Sequence, residues 1–402
     1  MTMSEPAARP DVSSTRLTIV LGALTAFAPF STDMYLASFS SIAESLHTGL
    51  GEVQFTLSVF FFGLALGQLF YGPLIDRFGR RIPLLAGIAL YIVASLLIVV
   101  APDITTFTVL RLLQALGGCT GMIISRAIVR DLFDERGSAR ILSSMMVVQG
   151  LGPIIAPICG GYLLTLVDWR GVFVFLVLFG VCCFLAVMRH IPETLPAGRR
   201  YRTSLPRLLI VFCELLSDRR FIVPTVAGGF GLATLFAFIS GSPFVFMELH
   251  GASRQQYGWL FGLCAFCMVA AARLSGMLLR RFQPRAVLFA ALAAETAFAI
   301  VLASLSRTPS LPVLMIPLCL CMATIPLIGA TSTAVAMSAC GNQAGSASSL
   351  VGVMQFGLAS LASALVGLFH NGTAFPMTVV ILGCSLGGFA LLVVGRRGRP
   401  VL

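Results

Sequence analysis

Four ionisable side chains interrupt long apolar stretches of this chain, and they are the residues best placed to do chemistry. They are Asp33, Arg111, Arg273 and Glu295. An ionisable group at the centre of a membrane helix costs about 2.5 to 3.5 kcal/mol on insertion scales, so it marks a candidate functional site. Arg273 lies toward the end of its stretch. The chemistry that they offer is proton binding and the pairing of opposite charges.

Asp33 lies in the segment PFSTDMYL, beside the hydroxyl residues Ser31 and Thr32. Burial in a medium of low dielectric constant favours the neutral form of a carboxyl group, and a nearby arginine favours the charged form. A change of partner or of access to water can therefore load or unload a proton, as a proton-coupled exporter requires. The alternative is a solvated carboxylate at the end of a helix that stops earlier.

Arg111 lies in the segment LRLLQALGG and shares a helix face with Gln114, one turn later. Arginine stays charged at any physiological pH, so Arg111 cannot carry the proton itself, but it can bias a carboxylate or orient a polar substrate. The alternative is a structural arginine with a permanent partner.

Glu295 lies in the segment AALAAETAFA. It is either a second proton site or a protonated, hydrogen-bonded side chain, and we expect the second.

The segment GPLIDRFGRR forms a predicted gating turn of glycine, aspartate and arginine. Opposite charges in such a turn can form a breakable latch with a neighbour such as Asp131, in VRDLFDE. Topology alone would explain the arginines as membrane anchors, but not their fixed order with the glycines and the aspartate. The residues of the turn are Gly72, Asp76, Arg77, Gly79, Arg80 and Arg81.

A second motif, GLGPIIAPICGGY, concentrates glycine and proline in about three turns of one predicted helix. Glycines let membrane helices approach closely, and prolines bend them at a tolerable cost. The motif therefore predicts a helix that can pivot or seal against a partner. Its residues are Gly150, Gly152, Pro153, Pro157, Gly160 and Gly161.

The elements that must hold these residues are membrane helices. The chain has 402 residues, of which 57% are hydrophobic and 11% charged, whereas about a quarter of residues are charged in ordinary soluble domains. Apolar runs of span length recur along it, and they do not alternate in polarity as barrel strands do. They predict twelve helical spans, at residues 17–38, 53–75, 82–101, 105–126, 140–165, 170–189, 221–246, 257–279, 286–305, 311–337, 346–369 and 374–395.

The placement of the basic residues predicts the direction of the spans. All 27 are arginine, and most lie between alternate spans, which is the positive-inside pattern. We therefore expect cytoplasmic tails at 1–16 and 396–402, six-helix bundles at 17–189 and 221–395, and a cytoplasmic linker at 190–220, partly amphipathic. Basic residues spread over several short loops do not indicate a nucleic-acid partner.

Enzymatic and metal chemistry find no support in the residue pattern. The four histidines lie in or near loops, so they do not form a catalytic or metal cluster at one depth. Most of the eleven cysteines lie within apolar runs, and Cys264 and Cys267 have CxxC spacing without a second pair of ligands. We expect buried free thiols, no cofactor and no enzymatic activity, with the proton gradient as the energy source.

The whole chain resembles the major facilitator superfamily, and within it the Bcr/CflA group of drug:proton antiporters. The segments that carry the resemblance are STDMYL, GQLFYGPLIDRFGRR, LRLLQALGG, RAIVRDLF, GPIIAPICGGY and AGSASSLVGVMQFG. It implies an all-α fold of twelve helices in two six-helix halves, located in the bacterial inner membrane. It also implies that Asp33 is the coupling carboxylate, Arg111 its cavity partner and Asp76 part of a gate. Ala37 and Ser40 depart from the group, which has prolines nearby, and we expect a changed bend in span 1.

The implied function is proton-driven efflux, by alternating access, of small hydrophobic or amphipathic compounds such as antimicrobials, by a monomer in contact with membrane lipid. Export or symport of one endogenous metabolite is the alternative. A cavity rich in phenylalanine suits drug-like cargo, although aromatic stripes in membrane helices more often face lipid or the core. The candidate cavity residues are Phe30, Tyr35, Ser58, Phe61, Gln114, Gln149, Phe236 and Gln355.

Overall fold

The computed structural model describes residues 14–196, 198, 200, 205–307, 310–340 and 343–396. Twelve helices in this part of the chain are long and apolar enough to cross a membrane. The expected all-α membrane fold of twelve spans is therefore confirmed. Most residues of the two expected tails, 1–16 and 396–402, lie outside the described residues, as do some residues of the expected linker.

The spans follow one another with short turns between them, except for the longer linker between spans 6 and 7. Spans 1 to 6 are Arg16–Ser45, Leu50–Phe78, Arg81–Val99, Ile104–Leu132, Arg140–Leu166 and Trp169–His190, and spans 7 to 12 are Arg219–Leu249, Arg254–Leu278, Pro284–Ser304, Leu311–Met337, Gly345–Leu368 and Phe375–Gly395. The helix of span 5 begins at Glu135, and that of span 11 at Ala344. We call the end of the bundle that carries residues 72–81 the turn end, and the opposite end the far end.

Polar side chains fix where the helices of spans 4 to 8 begin. Each of these helices follows a residue whose side-chain oxygen accepts a hydrogen bond from a backbone N–H of the first turn, which would otherwise lack a partner. The capping residues are Asp103, Asp134, Asp168, Asp218 and Ser253. The segments between these spans therefore provide polar side chains at the ends of the apolar helices, and those side chains supply the hydrogen-bond acceptors with which the next helix begins.

Span 1 is broken near Asp33. It consists of the helices Ser14–Thr25 and Phe27–Asp33, a 3₁₀ turn at Leu36–Ser38 and the helix Phe39–Ser45. Pro29 has no N–H to donate to Thr25, which accounts for the first break. The second break needs no proline, because the Ser38 hydroxyl donates to the backbone oxygen of Tyr35 at 2.5 Å and competes with the helical pattern. Ala37 and Ser40 thus lie in or beside a bend that forms without a proline.

Two long helix pairs join the first six spans to the last six, namely span 2 with span 11 and span 5 with span 8. Spans 2 and 11 touch along their length: Gly51 meets Gly367 at the far end, and the Ser360 hydroxyl donates to Ser58 O at 2.8 Å further in. In the other pair, a Cβ on Gly258 would lie only 2.9 Å from Pro157 O, so the absence of a side chain permits this approach.

The linker contains one further helix, Leu205–Ser217. Phe212 and Leu215 are buried with Phe221 of span 7 and Leu350 of span 11. The linker helix therefore covers the turn end of spans 7 and 11 with one apolar face.

Candidate functional site

Arg111 is completely buried and lies among aromatic rings. Its guanidinium carbon is 4.3 Å from the ring centres of both Tyr35 and Phe60, and 5.9 Å from that of Phe173. Cation–π contacts of this kind are worth about 2 kcal/mol or more where water is absent. The rings therefore replace part of the hydration that Arg111 gives up.

A chain of hydrogen bonds leads from Arg111 through span 3. Arg111 Nη1 donates to Gln114 Oε1 at 2.5 Å, and Gln114 Nε2 donates to Ser95 Oγ at 2.8 Å. The Ser95 hydroxyl then donates to the backbone oxygen of Tyr91 at 2.7 Å, and the Tyr91 hydroxyl lies 2.7 Å from Ser31 Oγ. The contacts are interrupted within Tyr91, between its backbone oxygen and its hydroxyl, and Ser31 lies two residues before Asp33. Sequence reasoning missed Tyr91 and Ser95 because uncharged residues in an apolar run give no signal.

Asp33 is buried, with 2% of its surface exposed, at the end of the helix Phe27–Asp33. Its Oδ1 accepts a hydrogen bond from the Thr32 hydroxyl at 2.7 Å. No ion pair to Arg111 or any other cation is present among the described residues. Tyr35 follows Asp33 by two residues, and its ring centre lies 4.3 Å from the guanidinium carbon of Arg111. The two residues therefore share a neighbour but do not form a direct pair in this state.

Span 5 packs its glycines against this part of span 1. A Cβ on Gly160 would collide with the backbone of Met34, and one on Gly152 would lie 2.8 Å from the Pro29 side chain. Pro153 and Pro157 lie within the same helix. The glycine face of span 5 therefore brackets Asp33 from both sides, and Gly161 continues it toward the backbone of span 8.

The cavity candidates form two groups, and two candidates lie elsewhere. Tyr35 and Gln114 surround Arg111 as described above. Phe61 and Phe236 meet with ring centres 4.1 Å apart, and Phe356 lies 6.1 Å beyond Phe236. Ser58 and Gln355 belong to the same two helices, spans 2 and 11, as Phe61 and Phe356. Phe30 instead packs on Phe175 and Phe179 of span 6, and Gln149 is half-buried on span 5.

The gating turn forms a compact ion-pair network centred on Arg80, of which only 8% is exposed. Its Nη1 lies 2.8 Å from Asp76 Oδ1, and its Nε lies 2.9 Å from Asp131 Oδ2. Burial lowers the pKa of Arg80, but the hydrogen bonds to Asp131 and Asp76 outweigh this, and the net pKa is raised. Gly79 adopts a φ of +89°, in the left-handed region that favours glycine.

The outer residues of the turn have different contacts. Arg77 lies over the ring of Phe78, and Arg81 donates to the backbone oxygen of Met188 at 2.7 Å. Gly72 lies beside Ser349 of span 11.

Glu193 closes the network from the linker. Its carboxylate accepts hydrogen bonds from the backbone N–H groups of Arg80 at 2.8 Å and Arg81 at 3.2 Å. Burial raises the pKa of Glu193, but these N–H groups, that of Leu195 and the charge of Arg200 bring it below its ordinary value. Thr194 donates to Asp131 at 3.0 Å. Sequence reasoning missed Glu193, whose only signal is its place directly after span 6.

The far end carries polar contacts between the first six and the last six spans. Arg254 Nη1 donates to Leu164 O at 3.0 Å, and its Nη2 donates to the hydroxyl of Ser41 at 2.7 Å. The neighbouring Ser40 donates to Glu248. We call these contacts the far-end latch.

Glu295 is completely buried in span 9, away from both sites. Neither carboxyl oxygen has a hydrogen-bond partner among the described residues. In that same part of the chain, no group of three or more His, Cys, Asp or Glu could hold a metal ion.

Comparison with known proteins now identifies the fold. The sequence profile of the Major Facilitator Superfamily matches residues 21–364. The chain belongs to the Major Facilitator Superfamily. As a member it is a multi-pass membrane protein that transports small molecules, and not an enzyme.

Curated superfamily members are similar over almost the whole chain. An uncharacterized MFS-type transporter, YdgK, of Bacillus subtilis is 34% identical over 92% of this chain and 93% of its own length. A bicyclomycin resistance protein homolog of Haemophilus influenzae is 30% identical over 91% of this chain and 92% of its own. The multidrug resistance protein MdtL of Escherichia coli is 27% identical over 96% and 97%. The expected resemblance to the Bcr group of the superfamily is thereby confirmed.

Solved superfamily structures share the fold at low sequence identity. The xylose transporter XylE of E. coli, in a partially occluded inward open conformation, has a TM-score of 0.74 at 12% identity, covering 96% of this chain and 98% of that one. A bacterial homolog of the lysosomal transporter Spinster, inward-facing and occupied, has a TM-score of 0.73 at 16% identity, covering 95% and 97%.

Proposed function

We propose that this transporter exports small, mostly hydrophobic or amphipathic organic compounds, including antimicrobials, in exchange for protons. The observation that carries the proposal is the environment of Asp33: a buried carboxyl with no cation partner in the described part of the chain, at a break in span 1, against the glycine face of span 5. Burying a charge without a partner is costly, so a carboxyl in this state favours its proton. The names of the relatives point to the same class of cargo.

In the proposed cycle, Asp33 exchanges one proton as its surroundings change. Movement of span 5 against span 1 would open Asp33 to water or expose it to the charge of Arg111, and either change favours release of the proton. Arg111 keeps its charge throughout and sets the field at Tyr35 and Gln114. The far-end latch would hold the far end closed in one state. The ion pairs of the gating turn, which lie within the first six spans, would help to stabilise one gated state, as alternating access requires.

Everted membrane vesicles test the coupling. Addition of a phenicol or of bicyclomycin should release protons from acidified vesicles that contain the wild type, and Asp33→Asn should abolish this release. Asp103→Asn is the matched control, because Asp103 caps span 4 at the far end and is exposed. Unchanged proton release in Asp33→Asn would overturn the assignment of Asp33.

A growth panel tests the cargo class. An efflux-deficient host that expresses this chain should gain resistance to several hydrophobic antimicrobials, and lose it with Asp33→Asn. Resistance to none of them, with proton release on addition of one metabolite, would assign the transporter to a single endogenous cargo.

We also propose that residues 17–189 and 221–395 form two six-helix units that act as a monomer, with both termini in the cytoplasm. The arginine distribution supports this orientation. Fusions of a periplasm-dependent phosphatase should be inactive at Arg396 and active at Asn371, in the loop between spans 11 and 12. The reverse pattern would invert the orientation.

A further inference from the structure

Spans 8 and 10 bring cysteine side chains together in a region that the proposed proton cycle does not use. Cys264 Sγ of span 8 lies 3.7 Å from Cys319 Sγ of span 10. Cys267 lies one turn after Cys264 in the same helix. Cys264 is buried, the other two are half-buried, and all three are free thiols. The region therefore holds a preformed dithiol with a third thiol beside it.

The distance between the two sulfurs restricts what they can bind together. With sulfur bonds of about 2.3 Å, as in zinc sites, sulfurs 3.7 Å apart subtend about 107° at a shared atom. A linear ion with the same bond length would need the sulfurs about 4.6 Å apart. Metal ions that require three or four protein ligands also fit poorly, because no group of His, Cys, Asp or Glu among the described residues is arranged to hold one. The geometry fits an atom that bonds both sulfurs at a bent angle and needs no further ligand from the protein.

The apolar surroundings restrict the charge of the bound species. An ion buried without a partner costs several kcal/mol, so an uncharged product is favoured between spans 8 and 10. We propose that Cys264 and Cys319 form a binding site for uncharged, trivalent organoarsenicals. In an arsenical of the form R–As=O, arsenic carries one carbon substituent and bonds to two sulfurs.

The reaction is balanced without an oxidant. Each thiol sulfur forms a bond to arsenic, the arsenic–oxygen double bond breaks, and both thiol protons pass to the oxygen, which leaves as water. Arsenic remains trivalent, and both the reactants and the product are neutral. The adduct joins span 8 to span 10 through two As–S bonds.

The adduct would also restrain the contact between spans 5 and 8. Gly258 packs on Pro157 of span 5, and it lies less than two turns before Cys264 in the same helix. A covalent bridge from Cys264 to span 10 limits the movement of this helix. Binding of the arsenical should therefore inhibit efflux, whichever residue carries the proton.

Phenylarsine oxide is a suitable probe for the purified full-length protein. Intact mass measurement should show one phenylarsenical that survives an excess of a monothiol and is removed by a dithiol. Cys264→Ser and Cys319→Ser should each lose this equivalent and keep efflux in the presence of the reagent. Cys267→Ser should retain it, as should the control Cys159→Ser, whose thiol is exposed and distant in sequence.

Three results would overturn the proposal. The first is an equal adduct in Cys264→Ser or Cys319→Ser variants that elute as the wild type does. The second is loss of the adduct in Cys182→Ser, which would assign it to the adjacent pair Cys182 and Cys183. The third is no adduct in the wild type until it has been reduced, together with a mass two hydrogens lower beforehand, which would make the pair a disulfide.

Discussion

At the scale of single residues, the contacts of Arg111 depend on the planar shape of its guanidinium group. A guanidinium can stack on two rings and donate to Gln114 at once, whereas an ammonium is a compact charge that cannot reproduce this geometry. We expect Arg111→Lys to lower stability by about 2 kcal/mol and efflux severalfold, as judged by denaturation in detergent and by transport. Arg170→Lys is the control, because Arg170 also lies 4.3 Å from a ring, that of Trp169, but is partly exposed. Its loss should be about 0.5 to 1 kcal/mol, and equal losses would contradict the role of burial.

Glu193 should give the fold a pH dependence. Its pKa in the folded protein lies below the ordinary value of 4.5, so the ionised group stabilises the fold above pH about 4.5. This contribution is lost as the pH falls further, through the lower folded pKa. Thermal melts from neutral pH to pH 3 should show a steeper decline for the wild type than for Glu193→Gln. Glu52→Gln, at the far end, should decline as the wild type does, and parallel curves for all three proteins would exclude this role.

The sequence predicted individual charges better than their partners. Asp33 and Arg111 stand out because a charge in an apolar run is costly, and the turn at Asp76 stands out by the order of its glycine, aspartate and arginine residues. The structure nonetheless separates Asp33 from Arg111 and gives Arg80 an additional neighbour, Glu193, from the linker. A partner that is distant in sequence depends on how helices pack, and a single sequence does not encode that pattern locally. Uncharged links such as Ser95 carry no signal for the same reason.

At the scale of the helices, the sequence predicted the number of spans better than it predicted the contacts and bends within them. Long apolar runs fixed the number of spans, because each must bury its backbone polar groups within its own helix. The break in span 1 was expected to change where Ala37 and Ser40 replace prolines, but a serine hydroxyl bends the helix there. A hydropathy pattern cannot distinguish a straight helix of this length from a broken one.

The close approach of spans 5 and 8 gives a prediction at the same scale. Gly258→Ala places a Cβ 2.9 Å from backbone atoms of Pro157 and Ile158, so the two helices must separate. We expect a loss of about 1 to 3 kcal/mol in stability and a severalfold loss of efflux, measured by melting and by transport. Gly262→Ala, one turn later, meets nothing nearer than 3.5 Å and should behave as the wild type. Similar losses in both variants would show that the approach at Gly258 is not special.

The whole molecule is closed at the far end by few polar contacts, so their loss should shift its conformational balance. Arg254→Ala removes the hydrogen bonds to Leu164 O and the Ser41 hydroxyl. We expect severalfold faster hydrogen exchange at residues 36–45, because this segment loses its hold on the last six spans. Arg307→Ala, at the same end but outside the far-end latch, is the control. Unchanged exchange in Arg254→Ala would mean that packing alone closes this end.

The contact of Phe61 with Phe236 has a further consequence for the molecule as a whole. These rings meet between the first six and the last six spans, so the protein already fills with its own side chains part of the space that a guest would need. An apolar molecule that binds here must separate the two rings. Its affinity is therefore only the difference between the contacts that it makes with the protein and the contacts that the rings lose. This exchange of contacts favours the binding of flat and poorly hydrated molecules in general, and it limits the affinity for any one of them. The contact between Phe61 and Phe236 would then explain both why many different molecules could bind and why each of them would bind weakly.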